Sequence, residues 1–240
     1  ATRLIIVNSP ANPTGGTVPK AEWDKLVRGL TWDGSRESSL SRVIRRVTPA
    51  EDDTLEGFAE AVGHAGIPER RLVEVGVYAP QWAGHVEHAL GWPGFEDAVW
   101  WLHAHTKGED WSVDRAIRNE WAVEVSQRTP LASADLVRGS VDVDWFARAR
   151  ESLGDERFDQ LLAAAKFAST AAGHTRATLF ADALRGRVRD GDLVTRIGSK
   201  RHQDSVRALG LLPLPAQEAK DEVLRRYVLM RAFGGSDRTS

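Results

Sequence analysis

Punctuation is what most constrains this chain. From residue 35 onward a helix-start or helix-stop signal recurs at intervals of about 10 to 18 residues. Between the signals the apolar residues keep helical spacing, not strand alternation. Ser35 suits the cap of a helix over 36–47. Thr48-Pro49-Ala50-Glu51 reads as a capping box with proline in the first turn, opening a helix to about His64. Ile67-Pro68 restarts a helix that ends near Tyr78, and Pro80 opens another that Gly91 closes. Phe95 to His105 forms the next. Ser112 caps 113–126, where Val113, Ile117, Trp121 and Val125 make an i, i+4 stripe. Asp142 or Asp144 opens 144–153. Asp155 begins a long helix with Phe158, Leu161, Leu162, Ala165 and Ala168 on one face, stopped by Gly173. Helices over 175–185, 192–209 (with Gly198 as a breaking point) and 216–233 complete the series. The expected class is mainly α, an irregular helical bundle or a HEAT-like α-solenoid, although no fixed repeat period stands out.

The first thirty residues differ. Arg3-Leu4-Ile5-Ile6-Val7 reads as one short buried strand, and residues 8–16 as a proline- and glycine-rich loop. Pro19 then opens a helix to about Gly29. A lone strand leaves backbone groups unpaired, so residues 1–16 are expected to be loosely anchored or to pair with another chain. Two regions follow: a strand–loop–helix segment at 1–30 and a helical domain at 31–240, read as a fragment of a larger protein.

Composition removes several function classes. There is no cysteine, which excludes disulfides, thiolate catalysis and cysteine-bound zinc. No apolar run approaches the roughly 20 residues of a membrane span, and no signal peptide is evident, so a cytoplasmic location away from membranes is expected. The net charge of −2 is unevenly spread. From Arg176 to Ser240 there are 13 Lys and Arg against 8 Asp and Glu, a surplus of five positive charges, so the first 175 residues carry a surplus of seven negative ones. All nine tryptophans lie between Trp23 and Trp145, with six crowded between Trp82 and Trp121. Rings of that size serve either as core or as an interface anchor.

Leu4-Ile5-Ile6-Val7-Asn8-Ser9-Pro10-Ala11-Asn12-Pro13-Thr14-Gly15-Gly16, followed by Glu22 and Leu26, resembles the strand–loop–helix of class I/II aminotransferases that use pyridoxal phosphate. The resemblance implies that Asn12 would hydrogen-bond the phenolic oxygen of the cofactor. The remainder of such a site is missing. Of six lysines, only Lys200 follows a serine, Ser199, and it lies too far along the chain with no glycine–arginine tail. The chain therefore cannot be a complete aminotransferase. A second resemblance covers residues 32–235. Tyr78-Ala79-Pro80-Gln81-Trp82-Ala83, the stretch Ala98 to Lys107, and Lys200 to Leu214 are similar to an uncharacterised bacterial group related to MolR-like proteins, usually described as domains of unknown function. That resemblance implies a helical, repeat-like region and offers no active site.

Three sets of residues are candidates for chemistry. His85, His88, His103 and His105 could bring imidazoles from neighbouring helices to a metal, or serve as structural imidazoles wedged among tryptophans; the latter is favoured. Arg196, Lys200, Arg201 and Arg207, within a basic stretch that begins at Arg185, are anion-binding candidates that would suit nucleic-acid phosphates or simply form ion pairs. No Gly-x-Ser-x-Gly elbow, Walker loop or Gly-x-Gly-x-x-Gly is present. The functional expectation is a helical scaffold or interaction module with a protein partner and no cofactor. The alternative is a remnant of a pyridoxal-phosphate enzyme.

Overall fold

The computed structural model describes residues 44–50, 53–217 and 219–235. The expected strand at 3–7, the loop with Asn12, the helix from Pro19, and Trp23 and Trp32 all lie outside the described residues. The described chain is mainly α and contains no strand. Its helices in order are α1 (Leu55–Ala65), α2 (Glu69–Tyr78), α3 (Ala83–Leu90), α4 (Phe95–His105), α5 (Arg115–Ser126), α6 (Ser133–Val137), α7 (Val143–Leu153), α8 (Asp155–Ala164), α9 (Ala171–Leu184), α10 (Asp190–Lys200), α11 (Gln203–Leu211) and α12 (Ala219–Gly235). Short 3-10 turns cover Pro80–Trp82 and Ala165–Phe167.

The chain divides into two compact units. The first combines residues up to His103 with Trp145–Ala171. Its core is aromatic. Trp101 is fully buried, with its ring 4.9 Å from Phe146 and 6.2 Å from Phe158. Phe58 stacks on Trp82 at 5.7 Å, with the His85 ring edge-on to both. Trp145 is fully buried and donates its indole N–H to Asp97 Oδ1 at 2.6 Å. Trp92 and Trp100 are also buried, so the tryptophan-rich stretch of this unit is core. Each such ring removes a large apolar area from water, and edge-to-face contacts add to that gain.

Local sequence sets the breaks, with corrections. The capping box at Thr48 does not open α1. Residues 47–50 are not helical, and the helix begins at Leu55 with the Thr54 hydroxyl accepting from Gly57 N at 3.0 Å. The carbonyl of Val47 instead accepts from Gln81 Nε2 and Trp82 Nε1, both at 2.8 Å. An indole that must place its one donor inside the core thus holds this segment in a non-helical form. Gly94 has φ 83°, and a Cβ there would stand 2.5 Å from Ser152 Cβ, so close approach to α7 requires glycine.

The second unit combines Ala104–Asp144 with Ala172 onward. Trp111 and Trp121 meet edge-on at 5.1 Å, and Phe180, Leu193 and Leu209 are fully buried. Gly173 does not stop a helix. It is buried inside α9, and the helix from Asp155 ends in the Ala165–Phe167 turn. The expected 192–209 helix is two, and the break falls at Arg201, not Gly198. Arg201 adopts φ 47°, a left-handed conformation uncommon for any residue but glycine. Its Nη2 donates to the Phe233 carbonyl at 3.4 Å and its guanidinium lies 4.9 Å from the Phe233 ring. The His202 side chain then caps α11 by accepting from Ser205 N. Asp114, not Ser112, precedes α5.

Candidate functional site

The four imidazoles do not converge. His85 donates from Nε2 to the Asp53 carbonyl at 2.9 Å, and His88 is exposed beside it. His103 is buried against Trp100, and its Nε2 donates to the Val77 carbonyl at 2.7 Å. His105, two positions on, is buried too, but its Nε2 accepts from Asp142 N at 3.3 Å. Carbonyl partners require a proton on Nε2 of His85 and His103, whereas an N–H partner requires its absence on His105. Three of the four rings therefore commit Nε2 to backbone. Among the described residues no group of three or more His, Asp or Glu is placed to hold a metal ion.

His85 and His88 do line an open cleft of about 470 Å³ with Gln81, Glu87 and Glu96. One of its carboxylates has structural work. Glu87 Oε2 accepts from Glu96 N at 2.9 Å and so caps the start of α4, where acidic groups suit the helix N-terminus.

The basic candidates separate into two kinds. Arg196 and Lys200 are exposed on α10. Arg207 is half-buried, donates to Asp204 Oδ1 at 2.7 Å, and lies over the backbone of Gly139. Asp204 also accepts from Arg176 Nε at 3.2 Å, so one carboxylate joins two guanidiniums. Arg207, Arg138, Gln203, Val206, Glu109 and Phe233 line a second open cleft of about 350 Å³. Arg201 contacts one of these lining residues, Phe233, through its guanidinium. Of the four basic candidates the cleft is thus lined by Arg207 alone, and it adds Arg138, which the spacing of basic residues did not suggest. Interleaved Asp204, Glu109 and Asp135 blunt the positive field there. Ser199 donates its hydroxyl to the Thr195 carbonyl, so the Ser199-Lys200 pair belongs to an ordinary helix end.

The least expected surface is on α12. Its inner side is tied down by ions. Arg226 is buried and donates to Leu212 O at 2.6 Å, Pro213 O at 3.1 Å and Glu222 Oε1 at 2.5 Å. Arg225 donates to both oxygens of Glu222 and to Asp190 Oδ1 at 2.6 Å. The two guanidiniums, Arg225 first, hold the Glu222 carboxyl down at about 2. Apolar residues nonetheless face water on the other side: Val223 is 48% exposed, Leu224 61%, Tyr227 54% and Val228 56%. The sequence carried a signal for this. A surface helix normally has one apolar face, and α12 has Leu229, Met230 and Phe233 on one side and these four residues on another. Four contiguous large apolar residues on one exposed face exceed the scattered singles of an ordinary surface.

Fold and surface together define a mainly α protein with an aromatic core, a guanidinium-braced second unit and an apolar helix face. Residues 18–235 match a family of unknown function (DUF5724), and the chain belongs to that family. The aminotransferase-like residues Leu4 to Gly16 precede its first matched position. No curated protein and no solved structure matches the chain. Among the described residues no helix is long and apolar enough to cross a membrane.

Proposed function

We propose that the chain is a helical scaffold that docks another protein through the outer face of α12. The observation that carries this reading is the exposed row Val223, Leu224, Tyr227 and Val228 on a helix whose opposite side is fixed by Arg226 and Glu222. A rigidly held helix with an apolar face loses little conformational freedom on association, and that is the condition for productive helix docking. The tryptophans act as the frame. The MolR-like resemblance of residues 32–235 and its repeat-like helical architecture belong with this reading, as does a cytoplasmic site of action.

The test compares tagged full-length protein with a Leu224→Ser/Val228→Ser variant. Both positions are exposed, so the variant should keep its helical circular dichroism and melting temperature. A stoichiometric protein, another copy of the chain included, should co-purify with the first and be lost from the second. Equal recovery from both would remove α12 as the docking surface. The competing proposal, a pyridoxal-phosphate remnant using Asn12, is separated by absorbance: incubation with the cofactor and borohydride reduction should leave no adduct confined to one lysine.

A further inference from the structure

We infer that the partner of the α12 face is a second copy of this chain, paired antiparallel about a two-fold axis at the level of Arg226; this inference rests on the scaffold reading above. Three observations select that occupant and that orientation.

The first is spacing. Asp221, Leu224, Val228 and Arg231 are separated by three, four and three residues, the 3-4-3 interval that keeps one seam facing a neighbouring helix. All four are exposed. Tyr227 flanks this seam on one side and Arg225 on the other.

The second is charge. Asp221 ends the seam at the start of the helix and Arg231 ends it one turn beyond Val228. Among the described residues neither has an ion-pair partner within the chain, whereas Arg225, Arg226 and Glu222 satisfy one another, and Arg226 points away from the seam to Leu212 and Pro213. A parallel pair would set Asp221 beside Asp221 of the partner subunit and Arg231 beside the partner's Arg231. The antiparallel pair sets Asp221 against the partner's Arg231 twice, once at each end, while Leu224 meets the partner's Val228. A two-fold interface makes each contact reciprocally, so one favourable pair is always two.

The third is register. The neighbouring seam Lys220, Leu224, Tyr227 and Arg231 also has helical spacing, but antiparallel pairing along it brings Lys220 to the partner's Arg231. Like charges at both ends disfavour that slip and leave the Asp221–Arg231 register.

A helix of 17 residues is about 25 Å long, so the contact is of the small, reversible class. Sedimentation velocity of the full chain, from about 1 μM to about 1 mM, reads the outcome. The mass should rise from 26.4 kDa toward twice that with concentration. Leu224→Ser/Val228→Ser should stay monomeric throughout. Asp221→Arg and Arg231→Asp should each weaken association about tenfold, since each turns two attractive pairs into two repulsive ones. The double variant Asp221→Arg/Arg231→Asp should recover wild-type association, a restoration that no structural damage would produce. A dimer indifferent to Leu224→Ser/Val228→Ser, or single swaps without effect, would overturn the pairing. A chain that stays monomeric, yet captures a different protein lost on Leu224→Ser/Val228→Ser, overturns self-pairing and leaves the scaffold reading standing. A monomer with no partner that depends on Leu224 and Val228 overturns both.

Discussion

The two units use the same secondary structure and different cement. In the first, rings fill the space between helices: Trp101 with Phe146 and Phe158, Phe58 with Trp82, Trp92 with Phe95. In the second, guanidiniums reach across helices to carboxylates and carbonyls: Arg176 and Arg207 to Asp204, Arg225 to Asp190, Arg226 to Leu212 and Pro213. Apolar burial does not respond to protonation or to charge screening, whereas ion pairs do. Helical class alone therefore does not say what holds a helix in place or what will release it.

The largest effect expected of this contrast is in the aromatic unit. Trp101→Ala should cost about 3–5 kcal/mol, through lost burial and the cavity left between Phe146 and Phe158. Urea unfolding followed by circular dichroism reads it, and a midpoint close to wild type would mean the rings are not the main support. Next is Arg226→Met in the second unit. It keeps an apolar stem but strands the carbonyls of Leu212 and Pro213 and leaves Glu222 to Arg225 alone, a loss of about 2–3 kcal/mol. If the change proves neutral, the guanidinium contacts are replaceable by water and the contrast is weaker than drawn. Gly94→Ala should cost about 1–3 kcal/mol, because it adds a Cβ at φ 83° against Ser152. Thermal melting should show no loss if the loop before α4 can simply move.

Acid should separate the units without mutation. Glu222 is held at about 2, below its ordinary 4.5, by the Arg225 and Arg226 guanidiniums. A carboxyl depressed on folding stabilises fully above its unfolded value, and that stabilisation is lost as pH falls from about 4.5 through about 2. Limited pepsin digestion across this interval should cut around α12 before it cuts the aromatic unit. Simultaneous cleavage of both would erase the distinction. The smallest effect is salt. The Arg225–Asp190 pair is partly exposed, so raising salt should weaken it by less than about 1 kcal/mol. Arg225→Gln should remove whatever salt dependence is seen in the exchange of α12 amides.

Much of the architecture could be read from local signals. Phe95–His105 has the bounds its spacing suggests, Pro68 and Pro80 stand at the starts of their segments, and Gly91 closes α3 with φ 62°. These depend on backbone chemistry within one turn: a missing N–H, a missing Cβ, a periodic apolar face. Where the reading slipped, a distant group had intervened. Thr48 through Ala50 looked like a helix start, but Gln81 and Trp82, more than thirty residues away, claim the Val47 carbonyl. Gly173 looked like a stop, but burial of the helix around it outweighs the cost of a helical glycine.

The candidate surface divides in the same way. The sequence by itself determined that these segments are helical, that no cysteine chemistry is available, and that α12 carries apolar residues on more than one side. Tertiary structure decided which side is inside. Arg226, a charged residue any hydropathy pattern would place outward, turns in because Leu212 and Pro213 offer it carbonyls. Its neighbours Leu224 and Val228 turn out as a consequence. A helix has only one rotation about its axis, and long-range hydrogen bonds, not local hydrophobicity, fix it here.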